Sequence, residues 1–322
     1  MIVGIECTAH TFGIGIVHKG KILANERDMY KPMHGGIVPL EAAKHHFHVS
    51  EKMYREALYE AGIEEKDIDA FALSHAPGLA PCLLAGMKFT VEKAKALGLA
   101  LVPVHHGIAH LEIGRSLGAR DPVLLYASGA NTQIIAYSGK KYRVFGETLD
   151  LGVGNFIDKF ARYCGIPFPG GPPIEILARK GKYLELPYAI KGMDVSFSGL
   201  YTKLIQLYDS KISLNDLAFS LQETAFAMLI EATERAMAHT GKKELVLGGG
   251  VGCNGRLQEM CTLMCKERKA KFFCPSKDLL VDNGAMIAYT GELLFNKDII
   301  MKPENADIQP RQRVDEVDVY WR

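Results

Sequence analysis

The chain has 322 residues, of which 48% are hydrophobic and 23% are charged, and its formal net charge is +1. This balance is that of an ordinary globular protein and excludes collagen-like, coiled-coil and disordered chains, while the length predicts about two domains. A net charge near zero excludes a protein whose overall charge draws it to nucleic acid or membrane, although it leaves room for a local basic face.

The cysteines and the N-terminus point to a reducing compartment. The seven cysteines are odd in number and include no CxxC pair, so neither a disulfide framework nor a thiolate zinc site is indicated. Cys261 and Cys265 are four apart in a helical stretch, and we expect them to pack that helix. The start, MIVGIECTAH, lacks the basic region of a signal peptide, and no apolar run approaches the ~18 residues of a membrane span. The sequence therefore predicts a cytoplasmic protein without a membrane partner.

The first part of the chain predicts an α/β unit. Lys19-Gly20 predicts a tight turn between two strands. Apolar residues at helical spacing predict a helix from His45 to Ala61, which Gly62 ends, and the Gly- and Pro-punctuated stretch 28–44 before it is predicted to be a loop. The other predicted elements up to residue 119 are strands 2–7, 12–18 and 21–27, strand 68–74, a helix to about 97, strand 101–104 and a helix over 105–118.

The second part repeats the first. Residues 123–147 can be laid over 3–26, and residues 245–267 parallel 71–93. A repeat this long predicts an α/β protein of two lobes, each a mixed sheet covered by helices, with a ligand in the cleft between them. The remaining predicted elements are helices at about 151–165, 173–181, 198–208, 215–240 and 280–296, and an extended tail over 302–322.

Domain boundaries follow from the repeat. We expect an N-terminal lobe over 1–119 and a C-terminal lobe over 120–322 with inserted helices. We also expect the last helix and the tail, about 285–322, to pack back on the first lobe. The only tryptophan, Trp321, lies in that tail, which favours a packed tail over a loose one.

Two histidines are candidate metal ligands. His106 and His110 are four apart, which puts both imidazoles on one face of a helix with Cβ atoms about 5–6 Å apart. That distance suits two ligands of one divalent ion, and packed or solvated histidines are the alternative. A zincin protease needs a glutamate directly after the first histidine, and Gly107 stands there instead. Asp282, before the last helix, is either a helix cap or a third ligand.

Two glycine loops are candidate phosphate sites. Ser128-Gly129-Ala130-Asn131 joins two strands, and Gly248-Gly249-Gly250 ends a strand before a helix that opens at about Gly252. Small residues let backbone N–H groups approach a phosphate, and a helix N-terminus adds a favourable dipole. Asp158 and Glu175 are candidate partners of ribose hydroxyls, although pairing of an exposed Asp158 with Arg162 at i+4 is the favoured interpretation when the rest of the site is left aside.

Ten segments, read in order, together resemble the universal tRNA threonylcarbamoyl transferase family, which includes bacterial TsaD and the catalytic subunit of the KEOPS complex. The ECTAHT start and the DEVDVYW tail are similar to its archaeal branch. One departure is Ala130, where the family usually has glycine, so the loop must hold a φ that an L-residue adopts. The segments are GIECTAHT, APGLAPCL, HHGIAH, LYASGANTQ, GNFIDKFAR, PFPGGPPIE, FSGL, QETAF, GGGVGCN and VDNGAMIA.

The resemblance implies a duplicated two-lobe actin/sugar-kinase/heat-shock ATPase fold and two sites. It implies one Fe²⁺ or Zn²⁺ ion bound by His106, His110, Asp282 and Tyr126. It also implies an adenine nucleotide, ATP or threonylcarbamoyl-AMP, as ligand. The positions that match the family's nucleotide and substrate contacts are Tyr126, Ala127, Ser128, Gly129, Ala130, Asn131, Asp158, Gly171, Glu175 and Asn254.

The reaction implied by the resemblance is transfer of threonylcarbamoyl from threonylcarbamoyl-AMP to N6 of adenosine 37 in tRNAs that read ANN codons. The implied partners are tRNA, a small kinase/ATPase subunit and two further small KEOPS subunits. Two alternatives remain open from the residues: a metalloprotease, against which Gly107 weighs, and a non-catalytic ATP-binding regulatory subunit. No catalytic base is identified.

Overall fold

The structure is a computed structural model that describes residues 1–32 and 36–322, so the predicted loop over 28–44 lies partly outside the described residues. It divides into two compact units, each built around one five-stranded sheet covered by helices. The first unit comprises Met1–Ser116, Lys140–Tyr142 and Asp282–Arg322, and the second comprises Leu117–Gly139 and Arg143–Val281.

Strands and helices are numbered in chain order. The strands are β1 (Ile2–Glu6), β2 (Thr11–His18), β3 (Lys21–Met29), β4 (Ala70–Ala76), β5 (Ala100–His105), β6 (Val123–Ala127), β7 (Thr132–Ser138), β8 (Lys141–Glu147), β9 (Ile190–Lys191), β10 (Asp194–Val195), β11 (Glu244–Gly248) and β12 (Lys271–Phe273). The helices are α1 (Pro39–Ala61), α2 (Ala80–Leu97), α3 (His106–Arg115), α4 (Val153–Tyr163), α5 (Gly171–Ala178), α6 (Ser198–Asp209), α7 (Leu214–Thr240), α8 (Gly255–Glu267), α9 (Lys277–Leu280) and α10 (Gly284–Phe295).

The first sheet has the strand order β3-β2-β1-β4-β5. β1 is antiparallel to β2 and parallel to β4, and β4 is parallel to β5. The predicted tight turn between β2 and β3 is confirmed, with Lys19 and Gly20 at φ 50° and 73°. The carboxyl ends of β1, β4 and β5 meet at one edge of this sheet, the edge where open α/β sheets bind their ligands.

Helix α10 lies directly on β1 and β2 because glycines remove the side chains between them. A Cβ on Gly15 would stand 2.2 Å from Ala285 N, and one on Gly284 would stand 2.1 Å from Gly15 N. No larger residue fits at either glycine without moving backbone. This contact fixes the start of α10, and with it Asp282, against the first sheet.

The second sheet has the order β12-β11-β6-β7-β8 and is also mixed. β11 is parallel to both β6 and β12, while β6 is antiparallel to β7. Helix α7, which Gly241 ends at φ 68°, supplies the largest share of the buried helical residues of this unit. Cys261 and Cys265 are buried in α8 and join this core, as predicted.

Helix boundaries account for the main difference from the sequence expectations. α1 begins at Pro39, six residues before the predicted start, because proline is favourable in the first turn of a helix even though it reads as a loop residue in a sequence. Other ends shift by a few residues. Within the described residues, no helix has the length and apolar character that crossing a bilayer requires.

Candidate functional site

The two candidate histidines lie where β5 gives way to α3. His105 ends β5 and caps α3, since its Nδ1 accepts a hydrogen bond from the backbone N–H of Ile108 at 3.4 Å. His106 begins the helix, and His110 follows one turn later on the same face. Their ring centroids are 4.8 Å apart, and their side chains are 5% and 0% exposed. The predicted helix and the shared face of its two histidines are confirmed.

Asp282 completes this cluster from a distant part of the sequence. The cap of α10 is Asn283, whose Oδ1 accepts from Met286 N–H at 2.9 Å, so the capping role considered for Asp282 belongs to its neighbour. Asp282 Oδ1 lies 3.5 Å from His106 Nε2 and 3.4 Å from His110 Nε2. Three potential ligand atoms therefore converge on one point in the first unit.

The cluster fits a divalent metal by its donors and its spacing. The ligand atoms all lie within 4.8 Å of one another. Two atoms bound to one Zn²⁺ at about 2.0–2.2 Å in a tetrahedral arrangement are themselves about 3.4 Å apart, which matches the two His–Asp separations. Two imidazoles and a carboxylate are equally suited to Fe²⁺. Among the described residues, this is the group of His, Cys, Asp and Glu side chains that meets the spacing for an ion.

A buried carboxylate that the sequence analysis missed holds His106 from behind. Glu6 ends β1 and is fully buried, and its Oε2 accepts from His106 Nδ1 at 2.9 Å. Its Oε1 accepts from the backbone N–H and the hydroxyl of Thr8, at 2.7 and 2.5 Å. Donation from Nδ1 leaves Nε2 as the nitrogen for a metal, the arrangement that outer carboxylates give metal-binding histidines. The feature of the sequence that could have revealed Glu6 is an acidic residue at the end of an otherwise apolar strand.

Two carboxylates make this cluster favourable for positive charge. Burial alone would lower the pKa of His106, but the charges of Glu6 and Asp282 raise that pKa to about 9. Burial would raise the pKa of Asp282, yet the charge of His106 and the hydrogen bond from His110 hold it below its ordinary range. Burial lowers the pKa of His110. The electrostatics therefore favour a cation among these side chains.

The predicted phosphate loop, Ser128–Asn131, joins β6 to β7 in the second unit. Ser128 N–H donates to Asn131 O at 2.9 Å and closes the turn. Ala130 does not adopt a positive φ, as the sequence required. The start of α4 packs on the loop, where Gly154 N–H donates to Ser128 O at 3.0 Å. The turn is thus held from both sides by backbone hydrogen bonds.

The second glycine loop lies beside the first. Gly249 has φ 89°, and a Cβ there would stand 2.4 Å from Ala127 O, so glycine is required. The helix predicted to open at about Gly252 is α8, and it begins at Gly255 because a 3-10 turn over Gly250–Cys253 comes first. The structure therefore brings the two glycine loops together at the carboxyl ends of β6 and β11.

A cavity of about 450 Å³ in the second unit adjoins two predicted nucleotide positions. Glu175 lines it, and Glu175 Oε1 accepts from Gly255 N–H at 3.1 Å. Asn254 caps α8 through Arg256 N–H at 2.9 Å, while its Nδ2 donates to Gln222 Oε1 at 2.9 Å. Gln222 of α7 also lines the cavity and was not among the candidates from the sequence. The sequence shows only an amide within an amphipathic helix, and its burial appears in the structure alone.

Asp158 and Gly171 lie at the junction of α4 and α5 and are not among the residues that line this cavity. Asp158 Oδ1 accepts from Gly170 N–H at 2.7 Å, so it helps to place the start of α5. Gly171 is the first residue of α5, and a Cβ there would meet nothing within 4 Å. Tyr126, the predicted further metal ligand, is buried near the end of β6 in the second unit.

Solved structures with a similar backbone share the fold of this chain at low sequence identity. HypF of Thermococcus kodakarensis superposes with a TM-score of 0.62 at 15% identity, covering 94% of this chain and 48% of HypF. Component A of (R)-2-hydroxyglutaryl-CoA dehydratase of Acidaminococcus fermentans gives a TM-score of 0.53 at 11% identity, covering 90% of this chain and 97% of that protein. The two-lobe α/β fold that the resemblance implied is confirmed.

Several known proteins are much more similar to this chain in sequence than those solved structures are. The family described as TsaD: tRNA N6-adenosine threonylcarbamoyltransferase matches residues 20–289. The protein of that name from Thermococcus kodakarensis is 52% identical over 99% of this chain and 98% of its own length. A probable bifunctional tRNA threonylcarbamoyladenosine biosynthesis protein of Thermoplasma volcanium is 48% identical, and the chain spans 61% of it. With this much shared over nearly its whole length, the chain belongs to the tRNA N6-adenosine threonylcarbamoyltransferase family.

Proposed function

We propose that this chain transfers a threonylcarbamoyl group from threonylcarbamoyl-AMP to N6 of adenosine 37 in tRNAs that read ANN codons. N6 attacks the carbamoyl carbon, a C–N bond forms, and the bond from that carbon to the phosphate oxygen breaks. AMP leaves with the electron pair, and N6 gives up a proton to solvent water. Because AMP is a good leaving group, the protein supplies positioning and charge stabilisation, with no covalent intermediate on a side chain.

The observation that carries this proposal is the buried His106–His110–Asp282 cluster in a chain 52% identical to a protein of that name. A protease of the zincin type is disfavoured because Gly107 occupies the place of its glutamate. A purely regulatory nucleotide-binding subunit would not need two buried histidines and a carboxylate aimed at one point.

We assign Fe²⁺ or Zn²⁺ to this cluster, held by His106 Nε2, His110 Nε2 and Asp282. Such an ion, when bound, polarises a carbonyl or phosphoryl oxygen as a Lewis acid. Glu6 accepts from His106 Nδ1 and so keeps its Nε2 directed at the metal position. Tyr126 remains a prediction as a further ligand, on the resemblance alone.

We assign the adenine nucleotide to the second unit. The backbone N–H groups of the loops at 128–131 and 248–250 would hold the phosphate and stabilise its charge as AMP leaves. Glu175, which lines the 450 Å³ cavity, and Asn254, which donates to the lining residue Gln222, would bind the adenosine portion. Asp158 and Gly171 complete this proposed set, with Asp158 also placing α5.

The proposed setting is the cytoplasm, where tRNA is modified, and the proposed partners are tRNA and three further subunits of a KEOPS-type complex. One of these is a small kinase/ATPase. The bifunctional names of several relatives are consistent with a second activity acting beside this one. With a net charge of +1, the chain itself has little overall attraction for RNA.

The test is incubation of the metal-loaded chain and its partners with tRNA transcript and threonylcarbamoyl-AMP, followed by mass spectrometry of the nucleosides. We expect N6-threonylcarbamoyladenosine at position 37, and its loss when His106 and His110 are both changed to Ala. His48→Ala is the matched control, because His48 is an exposed histidine of α1 outside the cluster.

Other outcomes would replace the proposal. Cleavage of casein by the metal-loaded chain, without a modified nucleoside, would favour the protease. ATP turnover that neither depends on tRNA nor yields a modified base would favour the regulatory subunit. A double variant that retains both bound metal and the full transfer rate would remove the metal site from the mechanism.

A further inference from the structure

Helix α3 carries, besides its two histidines, a carboxylate that the proposed reaction does not use. Glu112 is fully buried. Its Oε2 accepts from Arg115 Nη1 at 2.6 Å, and its Oε1 accepts from Trp321 Nε1 at 2.9 Å and from the Tyr142 hydroxyl. A buried carboxylate without such donors is strongly unfavourable. The position of Glu112, and with it the last turn of α3, therefore depends on a tryptophan more than 200 residues away.

The same C-terminal segment also holds the other end of α3. His105, the N-cap residue, uses its Nδ1 to accept from the helix backbone, so its Nε2 carries the hydrogen that is donated to Gln312 O at 3.2 Å. Earlier in the segment, Gln309 N–H donates to His75 O at 2.8 Å. Residues 309–321, which we call the C-terminal latch, thus contact β4, the N-cap of α3 and its last turn.

The latch is packed along its length. Val314 and Val319 are 4% and 8% exposed. Asp318 forms an ion pair with Lys141 Nζ at 2.9 Å, and the Trp321 ring lies 6.4 Å from the ring of Tyr142. These contacts hold a segment without regular strands or α-helices in one place.

Helix α3 needs such support. It has ten residues, and a helix this short is not stable by itself in water. Its position is therefore set by its tertiary contacts, and both histidines of the metal cluster move with it. A displacement of about 1 Å is enough to disturb a functional constellation.

We propose that the C-terminal latch positions the metal ligands by fixing α3 at both ends, with Trp321 and Glu112 as positioning residues. The inference rests on the proposed metal site and adds a structural element to it. Trp321 acts through its N–H as well as its ring, because the N–H is what Glu112 accepts. Loosening this hydrogen bond lets α3 shift, and the separation between its histidines and Asp282 changes.

The experiment measures Co²⁺ binding to the full chain by absorption and by competition with a chelator. We expect Trp321→Phe, which keeps a ring and loses the donor, to bind Co²⁺ about tenfold more weakly, the low end of the loss seen when ligand-orienting contacts are removed. The absorption band should also change, because a shift of α3 moves both histidines. Glu112→Gln should behave alike. Tyr59→Ala is the control, since Tyr59 is an aromatic residue of α1 outside the latch and is 90% exposed, and it should match the unaltered chain.

The outcomes separate the two proposals. If the unaltered chain binds no Co²⁺, the proposed metal site is refuted, and so is the proposed role of the latch. If it binds Co²⁺ and Trp321→Phe shows the same affinity and spectrum, the latch alone is overturned, even if the melting temperature drops. If the variants do not fold, an experiment on the unaltered chain still tests the role of the latch. Trp321 is its only tryptophan, so Zn²⁺ binding should change tryptophan fluorescence, and unchanged emission overturns the latch.

Discussion

At the residue scale, the candidate metal centre depends on a hydrogen bond between side chains a hundred positions apart. Glu6 is buried behind His106 and accepts from its Nδ1. Thr8 donates to the other carboxylate oxygen, so the side chain of Glu6 is held from both sides and stays directed at the ring. Glu6 thereby determines which nitrogen of His106 is available to a metal, although Glu6 would not itself contact the metal.

Replacing Glu6 by Gln should weaken Zn²⁺ binding by about 10- to 100-fold, the usual effect of losing an outer-shell carboxylate. Gln keeps the size of the side chain and removes the charge that orients and polarises His106. Competition with a chromophoric chelator measures the affinity. Glu41→Gln, an exposed acid of α1, is the control. Equal affinities for both variants would contradict the role given to Glu6.

Replacing Glu175 by Ala should weaken binding of an adenosine nucleotide. A hydrogen bond to an ionised group contributes about 1.5–3 kcal/mol, or roughly ten- to a hundredfold in affinity. Titration calorimetry of AMP or ATP checks this, with Glu234→Ala, an exposed acid of α7, as control. Because Glu175 also accepts from Gly255 N–H, circular dichroism should first show that the variant is folded. Unchanged affinity would contradict the assignment of the adenosine portion to this cavity.

At the element scale, helix α6 begins with a cap that comes from elsewhere in the chain. Asp150 accepts from the backbone N–H groups of Phe197 and Ser198, each at 2.9 Å, and from the Ser196 hydroxyl. Partial burial alone would raise the pKa of Asp150, but these donors hold it well below its usual range. The folded state therefore favours the ionised form of Asp150.

Replacing Asp150 by Asn should lower the free energy of unfolding at pH 7 by about 1–2 kcal/mol, as loss of a helix cap does. A depressed pKa means that this contribution is present above the unfolded pKa of about 4 and is lost as the pH falls below it. Urea denaturation at pH 7, 4 and 3 should show the difference between the two chains shrinking with acidity. A difference that is independent of pH would contradict this account.

At the scale of the whole molecule, the two proposed ligands belong to different units. Every member of the histidine and carboxylate cluster is in the first unit, and the cavity with its nucleotide residues is in the second. Each ligand should therefore stabilise its own unit most directly. At a hundred times its Kd, a ligand stabilises the state that binds it by about 2.7 kcal/mol.

Hydrogen exchange should resolve this division. Zn²⁺ should slow exchange in α3 and at the start of α10, and an adenosine nucleotide should slow it in α5 and at the start of α8. Mass spectrometry of peptides measures both effects in one chain, and the His106→Ala, His110→Ala double variant should lose only the first. Protection of α5 by Zn²⁺ alone would contradict the separate assignment.

Recognition of tRNA should require the partners. With a net charge of +1, we expect the isolated chain to bind tRNA weakly, with log K falling by roughly 0.7–0.9 per neutralised phosphate for each log unit of salt. Filter binding at two salt concentrations, with and without the partners, checks this. Nanomolar binding by the chain alone, insensitive to salt, would refute it.

The sequence by itself determined the features that depend on near neighbours. The tight turn at Lys19-Gly20 and the shared face of His106 and His110 follow from backbone geometry over a few residues, and both are present. The motifs in order were enough to identify the family, and the internal repeat was enough to predict two mixed sheets. Helix ends were less predictable, because Pro39 is compatible with a loop and with a first turn alike.

Only the tertiary structure decided which distant residues meet. Asp282 reaches the histidines because glycines let α10 lie directly on β1 and β2, and Glu6 reaches His106 because β1 and β5 end at the same edge of one sheet. The bond from Trp321 to Glu112 spans 209 positions. Such contacts depend on strand order and packing, which no local periodicity encodes, and so the ligand pair was readable from the sequence while the side chains that orient it were not.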